Sequence, residues 1–217
     1  MSAGPVPRLT TPEGLRRFLE RPRKPPGEHC EMCGEPISEA HSHVVNVESR
    51  NLLCSCRACY LLFTHEGAAQ GKFRAVPDRY LYDPAFTLDT AQWDDLQIPV
   101  RMAFFFHNSS LERDVAFYPS PAGATESLLP LETWQGVMAS NPHVADLLPD
   151  VEALLLNRND KQTECYLVPI DACYELVGLV KLHWRGFGGG EEVWREIEDF
   201  FAGLRDKSRV VGAGSAG

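Results

Sequence analysis

Two C-x-x-C pairs, Cys30 with Cys33 and Cys56 with Cys59, are the residues of this chain whose type and spacing carry chemistry. Thiolates three positions apart converge on one ion because the turn between them points both sulfurs inward, and two such pairs complete a tetrahedron. The 22 residues between Cys33 and Cys56 are a separation suited to a small finger. The expected cofactor is one structural zinc ion held by Cys30, Cys33, Cys56 and Cys59, with no residue assigned to catalysis or to a second cofactor. Cys54 is a surplus thiol. It alternates with Cys56 and competes for its place; the i, i+3 spacing to Cys59 selects Cys56. His41 and His43 offer an alternative Cys3His set, but with five cysteines between 30 and 59 they read as exposed or hydrogen-bonded hairpin residues.

Three elements must position the sulfurs. Gly34 follows the first pair and permits a tight knuckle, whereas Tyr60, Leu61, Leu62 and Phe63 follow the second, so the second pair is expected in the first turn of a helix. That helix is predicted from about Arg57 to about Gln70, with Gly71 at its end. Between the pairs, His43–Val47 and Asn51–Cys54 are expected to form a hairpin around Glu48–Arg50.

Knuckle, hairpin and ligand-bearing helix together resemble a treble-clef zinc finger. More narrowly, residues 30–63 resemble the finger of HNH endonucleases that carry extra zinc-binding cysteines, the matching positions being Cys30, Cys33, His43, Asn51, Cys56, Cys59 and Tyr60. The match covers about a sixth of the chain. The nuclease pattern has a histidine, a ligand of its catalytic metal, where Tyr60 stands here. A neutral phenol is a poor ligand at pH 7, so the resemblance implies the fold without the activity.

Composition narrows the classes. The chain has 217 residues, 44% hydrophobic and 24% charged, enough to bury a real core. Its net charge of −9 argues against a protein that coats nucleic acid or anionic membrane. Residues 1–80 hold 11 Lys and Arg against 9 Asp and Glu, and residues 81–217 hold 10 against 21, so the acidity belongs to the second part. Neither a membrane-spanning run nor a signal peptide is indicated, and a cytoplasmic location is expected, where clustered cysteines mean metal more often than disulfides.

Residues 1–28 read as a Pro/Arg-rich arm with one short helix, capped by Thr11 with Pro12 in its first turn and Leu15, Phe18 and Leu19 on one face, then a stiff RPRKPP linker. The finger spans 29–76, and beyond Pro77 the pattern becomes that of a sheet. VRMAFFFHNS and DVAFYPS predict a hairpin turning at Asn108–Arg113, with Phe104–Phe106 buried on both faces. LPLETWQGVMASNP predicts a helix stopped before Pro142. VEALLLNR, TECYLVPI and ELVGLVKLHW predict further strands, the last two joined by a turn or helical corner at Asp171–Tyr174. In EEVWREIEDFFAGLRDK, Val193, Trp194, Ile197, Phe200, Phe201 and Leu204 recur at helical spacing. The tail SRVVGAGSAG is expected to be disordered, its last residues 211–217 forming no part of the domain. HWRGFGGGEE fits no phosphate-loop fingerprint and reads as a flexible loop. Cys165 and Cys173 read as core residues, Cys173 with His183 being the one conceivable nucleophilic dyad, and Trp134, Trp184 and Trp194 read as core aromatics.

The whole chain resembles an uncharacterised actinobacterial family whose genes lie beside those for nickel–iron (NiFe) hydrogenases, on the zinc-finger start and the C-terminal PIDACYELVGLVKLHWRGFGGGEEVWREIEDFF. The resemblance implies an accessory role in making, maturing or docking such an enzyme, with a hydrogenase subunit or maturation component as protein partner. The expected fold is α+β: a treble-clef-like finger at 29–76 and an α+β domain at 77–210 with a mixed or antiparallel sheet. The expected function is a zinc-stabilised, non-enzymatic interaction or assembly factor. Two rivals stand against it, an HNH-type nuclease, opposed by Tyr60 and the acidic balance, and a rubredoxin-like iron electron carrier, opposed by the missing glycine after Cys59.

Overall fold

A computed structural model of the chain describes residues 27–65, 67–127, 132–144, 146–159 and 162–211. The short helix expected around Thr11–Leu19 and the RPRKPP linker lie outside these residues. The fold is α+β, with a small antiparallel sheet beside the cysteines and a larger mixed sheet beyond them.

The small sheet is built from β1 Ser42–Asn46, β2 Asn51–Ser55 and β3 Phe73–Ala75, in the order β2-β1-β3. The expected hairpin is β1–β2, pairing His43 with Cys54 and Asn46 with Asn51. Helix α1 covers only Arg57–Leu61, which corrects the longer helix expected to reach Gln70. The apolar spacing stops at Phe63, whose ring packs on Phe73 at 5.2 Å while its carbonyl accepts from Ala75 N. The chain then turns back through left-handed Gly67, Ala69, Gln70 and Gly71 into β3. A continued helix would forgo that third strand.

In the second part, β4 Leu81–Asp83, β5 Met102–Asn108, β6 Arg113–Ser120, β7 Gly123–Ser127, β8 Glu152–Arg158, β9 Thr163–Pro169 and β10 Arg209–Val210 form one sheet. Their order is β10-β4-β9-β8-β5-β6-β7, antiparallel except that β10 joins β4 parallel. The predicted hairpin is β5–β6, in register Phe104 to Phe117 and Asn108 to Arg113. Successive strand side chains point to opposite faces. Phe104 and Phe106 therefore join Leu155, Tyr166 and Val168 on one face, and Phe105 joins Leu154, Leu156 and Leu167 on the other. Both faces are covered, which is why these strands read as continuous apolar runs.

Helices α2 Thr90–Asp95 and α3 Glu132–Ser140 cover the Phe105 face, with Trp134 stacked on Phe105 at 3.8 Å. Helices α4 Ile170–His183 and α5 Gly190–Lys207 cover the other. Helix α4 corrects the strand expected over ELVGLVKLHW. Ile170, Ala172, Cys173, Leu176, Val177 and Val180 are its buried residues, at helical spacing from Cys173 onward, while Leu182 faces outward. The β-branched Val177 and Val180 suggested a strand; the face they share with Cys173 decides for a helix.

One further expectation is corrected. Arg209–Val210 of the tail is ordered as β10, with Arg209 N donating to Tyr80 O and Val211 N to Tyr82 O, because β4 otherwise presents an unpaired edge. The Gly186–Gly190 loop is a braced turn: the Trp184 indole donates to Gly186 O and the Trp194 indole to Gly188 O. At Gly189, with φ +85°, a Cβ would come 2.9 Å from Val193 Cγ1, so glycine is required there. Trp134 is fully buried, while Trp184 and Trp194 are half-buried at the edge of the α4–α5 layer.

The small sheet leans on the larger one. Val45 and Val76 join the core beneath α4, Arg74 Nη1 donates to Pro149 O, and Ser110 Oγ donates to Val47 O.

Candidate metal centre

The first knuckle is closed by Gly34 N donating to Cys30 O and by Cys30 N donating to Glu35 O, both at 2.8 Å. Gly34 sits at φ +81°, a left-handed turn that tolerates few other residues. The second pair enters at the start of α1, where Cys56 occupies the N-cap position and its sulfur accepts from Cys59 N at 3.5 Å. A sulfur thus serves where serine or aspartate usually caps. The knuckle is fastened to the hairpin by a reciprocal pair: Glu31 N donates to Cys54 O, and Cys54 N to the Glu31 carboxylate.

These contacts bring the sulfurs of Cys30, Cys33, Cys56 and Cys59 within 4.8 Å of one another. Cys33 and Cys56 are 3.7 Å apart. A tetrahedral ion with bonds of about 2.3 Å to sulfur requires an S···S edge of about 3.8 Å. The cluster fits one tetrahedral metal ion. Cys54, the competitor for Cys56, is not among the four; its sulfur groups instead with His41 and His43.

The thiols do not share protons evenly. Burial pushes Cys30 up, but the backbone N–H groups of Cys56, Cys33 and Met32 outweigh it and bring its pKa down to about 6. Cys59 is pushed up to about 12, first by burial and then by the hydrogen bonds it shares with Cys33, Cys56 and Cys30. At Cys33 the Glu35 backbone N–H works downward, yet the contact with Cys30 contributes to a net rise. Cys30 is therefore the readiest of these three thiols to ionise, and its negative charge opposes ionisation of Cys59. A divalent cation removes that opposition. Metal loading of the reduced, metal-free protein at pH 7 is therefore expected to release protons, those of Cys33 and Cys59 included, and affinity is expected to fall as pH is lowered. Zinc added in weak buffer with a pH indicator checks this; loading without proton release would show that the thiols were ionised beforehand.

The nuclease resemblance pointed to His43, Asn51 and Tyr60. His43 Nδ1 lies 2.8 Å from the Asp171 carboxylate, Asn51 opens β2 on the surface, and the Tyr60 hydroxyl donates to Val76 O at 3.1 Å. Tyr60 thus serves as a brace between α1 and the start of the second part. Cys165 and Cys173 are fully buried, with thiols raised well above their ordinary range by burial. Cys173 and His183 form no dyad. They lie ten residues apart on α4, about 15 Å along the axis, and His183 faces Glu192.

Of the two readings of His41 and His43, exposed or hydrogen-bonded, the structure shows the second: His41 Nδ1 meets the carbonyls of Ser38 and Glu39, and His43 Nδ1 the Asp171 carboxylate. The His41 side chain is 9% exposed and the His43 side chain 22%. Their rings lie 4.7 Å apart. The available signal was alternation: His41 and His43 are two apart, as are Cys54 and Cys56, and strand pairing sets His43 opposite Cys54.

Residues 29–208 match a family model described as "Family of unknown function (DUF5947)". No curated protein and no solved structure matches the chain.

Proposed function

The chain belongs to the DUF5947 family, whose function is unknown, and from that premise we propose that it is a metal-stabilised interaction or assembly factor. The ion is zinc, it is held by Cys30, Cys33, Cys56 and Cys59, and its role is structural. The observation that carries this reading is the convergence of four sulfurs within 4.8 Å, a set that fills a tetrahedral shell and leaves no position for substrate.

Residues 29–76 bury little of their own: Cys30, Val44, Val45, Ser55 and Val76, two of which pack into the core of the sheet beyond. Such a segment depends on its metal. Leu61 and Leu62, two and three residues after Cys59, are 51% and 66% exposed, an apolar pair that suits a protein partner. No helix among the described residues is long and apolar enough to cross a membrane. The reading places the protein in the cytoplasm, with a finger at 29–76 and a body at 77–210. The family resemblance in the zinc-finger start and the α4–α5 segment extends it to an accessory of NiFe hydrogenase, with a subunit or maturation component as partner.

Protein passed through a mild chelator is expected to retain close to one zinc per chain, and a hydrogenase component is expected to co-purify from host cells expressing that enzyme. Leu61→Ser with Leu62→Ser should weaken the association and leave zinc in place. Stoichiometric iron with a red colour would replace this reading with electron transfer. Recovery of no hydrogenase component, together with normal hydrogenase activity in a gene deletion, would remove the assembly role.

A further inference from the structure

We propose that His41, His43 and Cys54 form a second metal site, a three-ligand site for a divalent transition ion of the zinc class, with its fourth position open. One ring nitrogen from each histidine and the Cys54 sulfur lie within 4.8 Å of one another. The hairpin makes this convergence. His43 and Cys54 are paired across β1 and β2, so their side chains leave the same face, and His41, two residues before His43, follows them by strand periodicity.

The surroundings of the two imidazoles are those of ligands. His43 directs Nδ1 at the Asp171 carboxylate, 2.8 Å away. His41 directs Nδ1 at the carbonyls of Ser38 and Glu39, at 2.9 and 3.0 Å, with the Glu28 carboxylate 3.3 Å from the same atom. With the proton on Nδ1 in both rings, each presents a bare Nε2 lone pair, the arrangement by which an oxygen acceptor fixes the tautomer and orientation of a metal-bound histidine. His41 supplies an independent sign. Its side chain is about nine-tenths buried, yet its Nε2 has no hydrogen-bond partner among the described residues. A buried lone pair of this kind calls for an electrophile.

The donor set selects the ion. Two imidazoles and a thiolate suit zinc, cobalt or copper and not magnesium or calcium, which take oxygen ligands. Three protein ligands leave a coordination position for water or an incoming ligand, in contrast to the closed four-sulfur cluster. The site also reaches across the molecule. Asp171 lies in the first turn of α4, and Val76 N donates to His43 O, so an ion at His43 would be tied to both that helix and the segment that follows β3.

Cobalt(II) titration of the full-length, reduced, metal-free protein tests this. Two equivalents are expected, with the second adding a visible spectrum distinct from that of four sulfurs. Cys54→Ser and His41→Ala should each bind one equivalent and keep the four-sulfur spectrum, and Asp171→Asn should weaken the second equivalent about 10- to 100-fold. Unchanged circular dichroism in Cys54→Ser separates ligand loss from misfolding, and the two-equivalent stoichiometry of the unaltered chain does not depend on any variant. Saturation of the unaltered protein at one equivalent, or retention of two by both Cys54→Ser and His41→Ala, would overturn the second site. Neither result touches the four-sulfur cluster, whose own test is Cys30→Ser.

Discussion

Cys30→Ser is expected to strip the four-sulfur cluster of its metal and to unfold residues 29–76 while leaving most of the large sheet folded. Cys30 is the most buried of the four clustered cysteines, and three backbone N–H groups stabilise its thiolate. A serine hydroxyl there offers a poor donor to a thiophilic ion. Structural zinc in small fingers is worth about 10–16 kcal/mol of apparent binding free energy, and that binding is coupled to folding. Little else holds the segment: α1 has five residues and none of them is buried. Metal analysis of protein passed through a mild chelator should fall from about one ion per chain to none, and amide exchange should become fast through β1, β2 and α1. Cys59→Ser should behave alike, since Cys59 supplies the backbone N–H that caps on Cys56 as well as a sulfur. Retained metal and unchanged exchange in both variants would show that the four sulfurs are not the ligands.

Arg79→Ala is expected to cost about 3–5 kcal/mol, the range found when one partner of a buried ion pair is removed. Glu152 opens β8 with no exposed surface, and its carboxylate accepts from Arg79 Nε at 2.7 Å, Arg79 Nη2 at 2.5 Å and Leu148 N at 2.9 Å. Arg79 also donates to Asp146 O, which pins the segment between β3 and β4 to the loop before β8. Without the guanidinium the carboxylate keeps a single backbone donor. For a domain of this size the loss corresponds to a melting temperature lower by about 6–20 °C. Adding Glu152→Gln should recover part of the loss, because a neutral amide is cheaper to leave in that site. A shift below about 1 °C in Arg79→Ala would mean that Glu152 is satisfied by other groups.

Legibility followed the range of the interaction. The two C-x-x-C pairs were readable because each is a local turn whose residue spacing already aims both sulfurs. The α5 helix was readable for the same reason, its buried Val193, Ile197, Phe201 and Leu204 returning to one face every three or four residues. Helix α4 was misread because Leu176, Val177, Leu179 and Val180 are apolar in near succession, and only its packing on the sheet shows that Cys173, Leu176, Val177 and Val180 are the buried members. The length of α1 was misread because the chain leaves the helix to make a third strand with β1, a pairing that is invisible until β3 is in place.

The sequence by itself determined the four clustered sulfurs, the hairpin between them, the paired strands β5 and β6 and the terminal amphipathic helix, since each rests on a period or spacing within one segment. The tertiary structure alone decided what surrounds the fifth cysteine, Cys54. Strand register sets Cys54 against His43, its sulfur groups with the two histidines, and His43 in turn meets Asp171, 128 residues further along the chain. Register and long-range docking fix side-chain direction in space, whereas composition and spacing fix it only along the chain.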